Sequence, residues 1–409
     1  MSKEKIMGGD VLQEVRGQMP STADVIVVGA GLFGASVAYQ LTRKGAGRVL
    51  LLDQGMPASG DSGRTVGMVR HHYSNDVTAK LAIRGAEIIR NWPREVGVAD
   101  AGFVRSGFLL AVPPERLDAC IGNVRRLQRL GLDTRFVSAD DIADIEPLLS
   151  LEGVAGGAYE PDGGFANSYL MILGWITAAA AMGMEARFGT AVESLVVRHG
   201  RVVGVRTSCG VVEAGTVVVA AGAWARPLLA DAGWEPPIRL RRIEVSVWRV
   251  TSGSLIPQVV CSDGVSGLVV RPDKANEFMA VAYAPERPVD ILEGFDYSPS
   301  GKHDQLLSER LRRRFPALAN ARPQRGWAGP YDFTPDWHPI VGTAPGLDGL
   351  FMAVGNSGHG FKLAPSIGEC LADEILGHES PIDISQLRAD RFINGASTLE
   401  LAYGPSARA

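Results

Sequence analysis

Apolar residues recur along this chain in three rhythms. Asp24-Val25-Ile26-Val27-Val28 and Arg48-Val49-Leu50-Leu51-Leu52 are short continuous runs closed by a glycine and an acid. That is the pattern of strands buried on both faces of a parallel sheet. Between them Phe33, Val37, Ala38 and Leu41 fall at helical spacing, so the segment predicts a βαβ unit with one helix face on the core. Val217-Val218-Val219 and residues 349–354 read as further buried strands, the latter followed by a helix over 361–376. Residues 76–150 change character, with amphipathic helices over 77–91 and 114–130 around a strand at 107–112. An apolar helix follows over 169–182, then a hairpin over 191–197 and 202–207. Residues 238–297 alternate with period two, as in 244–250 and 278–283, the signature of an antiparallel sheet.

The first turn carries chemistry. Gly29, Gly31 and Gly34 form a GxGxxG between strand and helix, and Asp53 ends the second strand 19 positions after Gly34. The first glycine permits a tight turn, the second lets backbone approach a pyrophosphate, and the third lets helix and strand pack closely. The helix N-terminus offers unpaired N–H groups to phosphates. An acid at position 53 suits ribose hydroxyls and disfavours a 2′-phosphate, which leaves FAD or NAD. The order of elements predicts an α/β chain. A discontinuous Rossmann-like nucleotide-binding domain (22–75, 150–235 and 325–395) is interrupted by a second, α+β substrate domain on an antiparallel sheet (76–149 and 236–324), behind a flexible leader (1–21).

Composition narrows the partners. With 41 basic and 45 acidic side chains the net charge is −4, which gives no electrostatic reason for a nucleic-acid or anionic-membrane partner. The basic triplet Arg312-Arg313-Arg314 reads as a solvated helix face. Cys120, Cys209, Cys261 and Cys370 are widely spaced and form no CxxC pair, which argues against a metal site or disulfide framework and fits a reducing cytoplasm. The histidines His71, His72 and His359 show no metal-ligand spacing. Residues 1–21 lack the features of a signal peptide, and no apolar run reaches the roughly 18 residues that span a bilayer. A cytoplasmic location is the expectation. The 49 glycines among 409 residues exceed the roughly 7% average and cluster at strand ends, where backbone approaches ligands.

Three more segments bear on the cofactor: Ser59-Gly60-Asp61-Ser62-Gly63-Arg64 with Val69-Arg70-His71-His72-Tyr73; Ala220-Ala221-Gly222-Ala223-Trp224; and Thr334-Pro335-Asp336-x-x-Pro339-Ile340-x-Gly342 with Ser357-Gly358-His359-Gly360-Phe361-Lys362. Together they resemble the D-amino-acid-oxidase superfamily of flavoenzymes, in its sarcosine oxidase, glycine oxidase and dimethylglycine dehydrogenase branch, from about Asp24 to Gly377. The resemblance implies FAD, bound by Gly29, Gly31, Leu32, Phe33, Gly34, Asp53, Gln54, Ser62, Gly63, Arg64, Val192, Ala221, Gly222, Trp224, Gly329, Gly358, His359, Gly360, Phe361 and Lys362. It also implies that Arg70 and Lys362 clamp a substrate carboxylate while His359 orients the amine or the flavin. Physical chemistry adds that a cation in a first helical turn opposes the dipole, so Lys362 is best tolerated where an anion sits.

The implied reaction is oxidation of the C–N bond of a small amine or N-substituted amino acid, such as sarcosine, a cyclic secondary amino acid or glycine, followed by imine hydrolysis. Some relatives attach flavin through a cysteine before the TPD motif. Here that stretch is Ala328-Gly329-Pro330-Tyr331, so FAD is expected without that bond, with His71 or His72 the remaining covalent option. A rough alignment sets Met279 where oxidases of the branch carry a lysine, which favours an electron acceptor other than oxygen. Arg271 is a lesser candidate for the pocket, and Trp248, Tyr283, Trp327 and Tyr331 read as core. The alternatives are a flavin subunit of a hetero-oligomeric sarcosine oxidase or opine/proline dehydrogenase and, from another class, a NAD-binding regulatory protein. A homo-oligomer is compatible with all of these.

Overall fold

The computed structural model describes residues 18–98, 100–283, 287–393 and 399; of the leader expected over 1–21, residues 1–17 lie outside the described residues. The first sheet is built on β1 (Thr22–Val28), which lies between β2 (Val49–Leu52) and the strand Gly210–Val219. All three run parallel, with Ile26 opposite both Leu50 and Val217. Leu350–Val354 extends the parallel order on one side and Glu185–Arg187 on the other. Ile340–Thr343 closes one edge antiparallel. The predicted hairpin, Val192–Arg198 and Arg201–Thr207, hangs from the long strand Gly210–Val219. Central strands are buried on both faces, as their unbroken aliphatic runs require.

The helix α1 (Leu32–Arg43) departs from the amphipathic expectation: every residue from Leu32 to Leu41 is buried. Helix Gly360–Leu376 and helix Ser168–Ala181 pack against it in addition to the sheet, so no face is left for water.

The second sheet has the order Arg322–Phe333, Arg239–Arg249, Glu277–Ala282, Leu268–Pro272, Val260–Asp263, Phe108–Val112, Gly156–Glu160 and Arg135–Val137. Its neighbours are antiparallel except Val260–Asp263 with Phe108–Val112, which run parallel. By hydrogen bonding, Gly156–Glu160 and Arg322–Phe333 belong to this sheet. Period-two alternation gives it two faces. Leu268, Val270, Phe278 and Ala280 pack on Leu307 and Leu311 of helix Gly301–Arg314. Val245, Val269, Val281 and Met279 face the opposite way, against Val66, Met68 and Trp327.

One expectation is overturned here. Arg312 and Arg313 are solvated, but Arg314 is completely buried. Its Nε donates to Asp263 Oδ2 at 2.7 Å, its Nη2 to Oδ1 at 3.2 Å and its Nη1 to the Glu152 carbonyl at 2.6 Å. A bidentate partner on the sheet under the helix makes that burial tolerable.

A strap joins the two sheets. Met68–Val69 pairs with Gly164–Phe165, and Val69 belongs to the first core while Met68 packs on the second sheet. The residues that follow, Arg70 to Tyr73, are all buried. No helix among the described residues is long and apolar enough to cross a membrane.

Candidate active site

The dinucleotide turn is assembled from backbone. Gly29 has φ +108°, and a Cβ there would stand 2.4 Å from the Ala220 carbonyl oxygen, at the end of the neighbouring parallel strand. A Cβ on Gly34 would stand 1.7 Å from the Gly29 carbonyl oxygen, so helix and turn touch through bare backbone. The Leu32 N–H donates to Ser62 Oγ at 3.0 Å; those of Phe33 and Gly34 belong to the same unsatisfied first turn. Asp53 accepts the Ala30 N–H at 2.6 Å through Oδ2 and the Gly55 N–H at 2.7 Å through Oδ1. Burial raises its pKa and these two donors oppose the rise.

This turn opens into a cavity of about 650 Å³. Of the residues predicted to hold the cofactor, Gly29, Gly31, Leu32, Phe33, Asp53, Gln54 and Ser62 line its first part. Val192, Ala221, Gly222, Trp224, Gly358, Gly360 and Phe361 line the rest. Glycine turns, a helix N-terminus and an acid at a strand end face one elongated space, and these are groups that fit a dinucleotide.

Gly34, Gly63, Arg64, Gly329, His359 and Lys362 do not line this cavity. A Cβ on Gly63 would meet the Ala58 carbonyl oxygen at 2.2 Å, which makes Gly63 a packing residue. The Arg64 guanidinium bonds the Ser59 and Gly60 carbonyls and lies over the Tyr297 ring, while its own carbonyl accepts from Trp327 Nε1 and Tyr331 OH. Gly329 backs onto Asp61. Tyr331, read as core, lines the cavity instead.

Two acids in the wall escaped the sequence reading of contacts. Asp332 accepts the Gly355 N–H at 2.7 Å and the Asn356 N–H at 3.1 Å, and burial pushes its pKa up to about 6 despite those bonds. Asp61 has a buried Oδ1 with no hydrogen-bond partner. Burial, then the charge of Asp332, push it up to about 7 against the opposing pull of Arg64. Both sit beside recognised motifs, but only the packing of strand Arg322–Phe333 on the turn Asp61–Arg64 makes them neighbours.

The predicted substrate groups gather in a different, drier place. Arg70 donates from Nη1 to the His72 carbonyl at 2.5 Å and places its guanidinium carbon 4.7 Å from the Tyr73 ring centroid and 5.8 Å from that of Phe108. Lys362, two residues into the last long helix, is buried with its Nζ 5.8 Å from the same Tyr73 ring. Neither cation is paired with an acid among the described residues. Burial, and then the Arg70 charge, hold the Lys362 ammonium well below its ordinary pKa. Tyr73 OH lies 3.2 Å from His359 Nδ1, and burial keeps this phenol neutral by raising its pKa.

Glu160 closes one side. Its Oε2 accepts the His71 N–H at 2.8 Å and lies 3.1 Å from His71 Nδ1. Burial alone would raise its pKa, but His71 and then His72 bring it below the ordinary value. His72 is driven down to about 4 by burial, with Glu160 opposing. Among the described residues no group of three or more His, Cys, Asp or Glu side chains is placed to hold a metal ion.

Known proteins resemble this chain in sequence and fold. The chain is 29% identical over 381 residues to the 4-methylaminobutanoate oxidase (formaldehyde-forming) of Paenarthrobacter nicotinovorans, covering 91% of this chain and 46% of that protein. It is 26% identical to sarcosine oxidase subunit beta of Rhodobacter capsulatus, covering 91% and 89%. It thus spans about half the length of the first relative and most of the second. The crystal structure of L-proline dehydrogenase from P. horikoshii superposes with a TM-score of 0.84 at 23% identity, over 92% of this chain and all of that one. The family model described as "FAD dependent oxidoreductase" matches residues 24–374. With a dinucleotide cradle at one end of that match and the glycine turn before Lys362 near the other, this chain belongs to the DAO family of FAD-dependent oxidoreductases.

Proposed function

We propose that this chain oxidises the C–N bond of a small amino acid, with sarcosine, a cyclic secondary amino acid or glycine as the substrates of first choice. The observation that carries the reading is the pair of buried cations, Arg70 and Lys362, that share the Tyr73 ring and have no acidic partner among the described residues. Two such charges repel and are costly to desolvate, so the site is organised for an anion that arrives from outside. The planar fork of Arg70 suits a carboxylate bound through both oxygens, and an anion there opposes the burial and the Arg70 charge that lower the Lys362 pKa.

Bound FAD supplies the two-electron acceptor. The chain's own residues do the rest: Arg70 and Lys362 hold the carboxylate, burial excludes water, and the Tyr73–His359 pair orients the amine. The imine then hydrolyses in water. The relatives' names, an oxidase of 4-methylaminobutanoate and a subunit of a sarcosine oxidase, support an amine or amino acid as substrate. The second name, matched over nine-tenths of its length, favours as a second reading a chain that hands electrons to a partner subunit. FAD is held without a covalent bond: the stretch 328–331 carries no cysteine, and neither His71 nor His72 lines the cavity.

The experiment is anaerobic bleaching of the flavin by a panel of amino acids and their decarboxylated amines. The acids reduce the flavin, the amines are poor, and acid precipitation leaves the yellow colour in the supernatant. Amines that reduce the flavin as well as the acids would remove the carboxylate from the reading.

A further inference from the structure

The second sheet turns another cation towards the strap that carries Arg70. Glu160, Phe108 and Val260 are paired across neighbouring strands, Phe108 with Glu160 and Val260 with Phe108. Cys261 pairs with Val270, and one step along that register brings Arg271 beside Val260. Arg271 in turn pairs with Met279. Directly opposed residues share a face, so Glu160, Phe108, Val260, Arg271 and Met279 form one row across the sheet. It is the row that faces the strap, because Phe108 packs on Phe165 and Met68, and Met279 packs against Val66 and Met68. Arg70 lies over Phe108 in this row and Arg271 lies over Phe165, its guanidinium carbon 4.2 Å from the ring centroid. Phe108 and Arg271 are two strands apart, about 10 Å at the usual strand spacing.

Packing does not explain a guanidinium here. Arg271 is 7% exposed among valine, methionine and phenylalanine side chains. Its Nη1 donates to the Pro272 carbonyl at 2.7 Å and lies 3.3 Å from Asp273 Oδ1, while its buried Nε makes no hydrogen bond. One edge of the fork is therefore occupied and the other is not, although an unpaired donor on a buried guanidinium is costly. Burial lowers its pKa to about 10 against the pull of Asp273, which leaves it charged at neutral pH. The row thus holds a charged donor two strands from Phe108, the ring over which Arg70 lies.

Resting on the carboxylate site proposed above, we infer that Arg271 forms a second anion subsite and that the substrate is a dicarboxylic amine or amino acid. One carboxylate lies on Arg70 and Lys362, and the other, across a short carbon spacer, on the free edge of Arg271. The reaction at the C–N bond is unchanged; the second carboxylate selects the substrate.

The test uses the FAD-loaded protein and two ligands without an oxidisable amine, thiodiacetate and (methylthio)acetate, with binding read from the perturbation of the flavin absorption spectrum. The dicarboxylate binds the native protein at least about ten-fold more tightly, the equivalent of one charge-assisted contact. Arg271→Met removes that preference and leaves the Kd of the monocarboxylate within about two-fold, while Arg271→Lys retains part of the preference, since the charge remains without the fork. Equal affinities in the native protein, or an Arg271→Met protein that keeps the preference, would overturn the second subsite and leave the first standing. Should Arg271→Met not fold, the native comparison and Arg271→Lys still decide. If neither ligand binds, the carboxylate site itself fails, and this inference fails with it.

Discussion

The two halves of the site are built from different materials. The nucleotide end is shaped by bare backbone: Gly29 and Gly34 leave no room for a Cβ, and the Ala30 and Leu32 N–H groups are fixed by Asp53 and Ser62 beside the cavity. The proposed substrate end is made of side chains: Arg70 and Tyr73 meet His359 and Lys362 from a distant part of the chain, all of them buried. A backbone site fails when an atom is added, whereas a side-chain site fails when a charge is removed. The first kind secures a cofactor common to many reactions; the second, on the proposed reading, is where one substrate is told from another.

The sharpest break in that contrast is Gly34→Val. With the Gly29 carbonyl 1.7 Å from its Cβ, the turn cannot keep its shape, and the expected result is a protein that purifies without flavin absorbance or not at all. A yellow protein with one FAD per chain would show that the cradle is not backbone-limited.

The second-sheet side should be sensitive to loss of charge even far from the site. Arg314→Ala leaves Asp263 buried without its bidentate partner, and breaking such a pair costs about 3–5 kcal/mol. Chemical denaturation of the variant measures it, and replacing both members by apolar residues of similar volume should recover most of the loss. A cost under about 1 kcal/mol for Arg314→Ala would mean the pair is solvated in solution.

A smaller effect separates the ends by pH. Asp61 is held near 7 from an ordinary value of 3.8, so the folded protein keeps a proton that the unfolded chain loses. A raised carboxyl pKa contributes its stability below the unfolded value and loses it as pH rises through the folded one. Asp61→Asn should therefore stabilise the protein at pH 8 by roughly 1–3 kcal/mol, after allowance for the side chain's partial opening to the cavity, and leave it unchanged near pH 3. Thermal unfolding across that range reads the difference. A gain that is the same at both pH values would sink the assignment.

What the sequence revealed divides along the same line. The βαβ unit was legible because its signals are local: two aliphatic runs, a glycine spacing and an acid within 30 residues. Motifs of the same kind pointed to the cavity, and 14 of the residues expected to hold the cofactor line it. Long-range partners were not legible. The total burial of α1 depends on helices that begin 136 and 328 residues after its own start. Arg314 looked solvated within its basic run because Asp263 lies 51 positions away on another element. Asp61 and Asp332 share a wall only through tertiary packing. Arg70 and Lys362 were paired by resemblance, since they stand 292 positions apart and no local signal links the two.

The account turns on whether those two cations grip one anion, and a double-mutant cycle of binding measures this directly. Native protein, Arg70→Met, Lys362→Met and the double variant, each loaded with FAD, are titrated with (methylthio)acetate and followed by flavin absorbance. Each charge-assisted bond is worth about 1.5–3 kcal/mol, so Arg70→Met should weaken binding by one to two orders of magnitude and Lys362→Met by less. The double variant should lose less than the sum, because both side chains hold the same group. Four proteins with the same affinity, or losses that add as if the sites were independent, would contradict a shared carboxylate clamp.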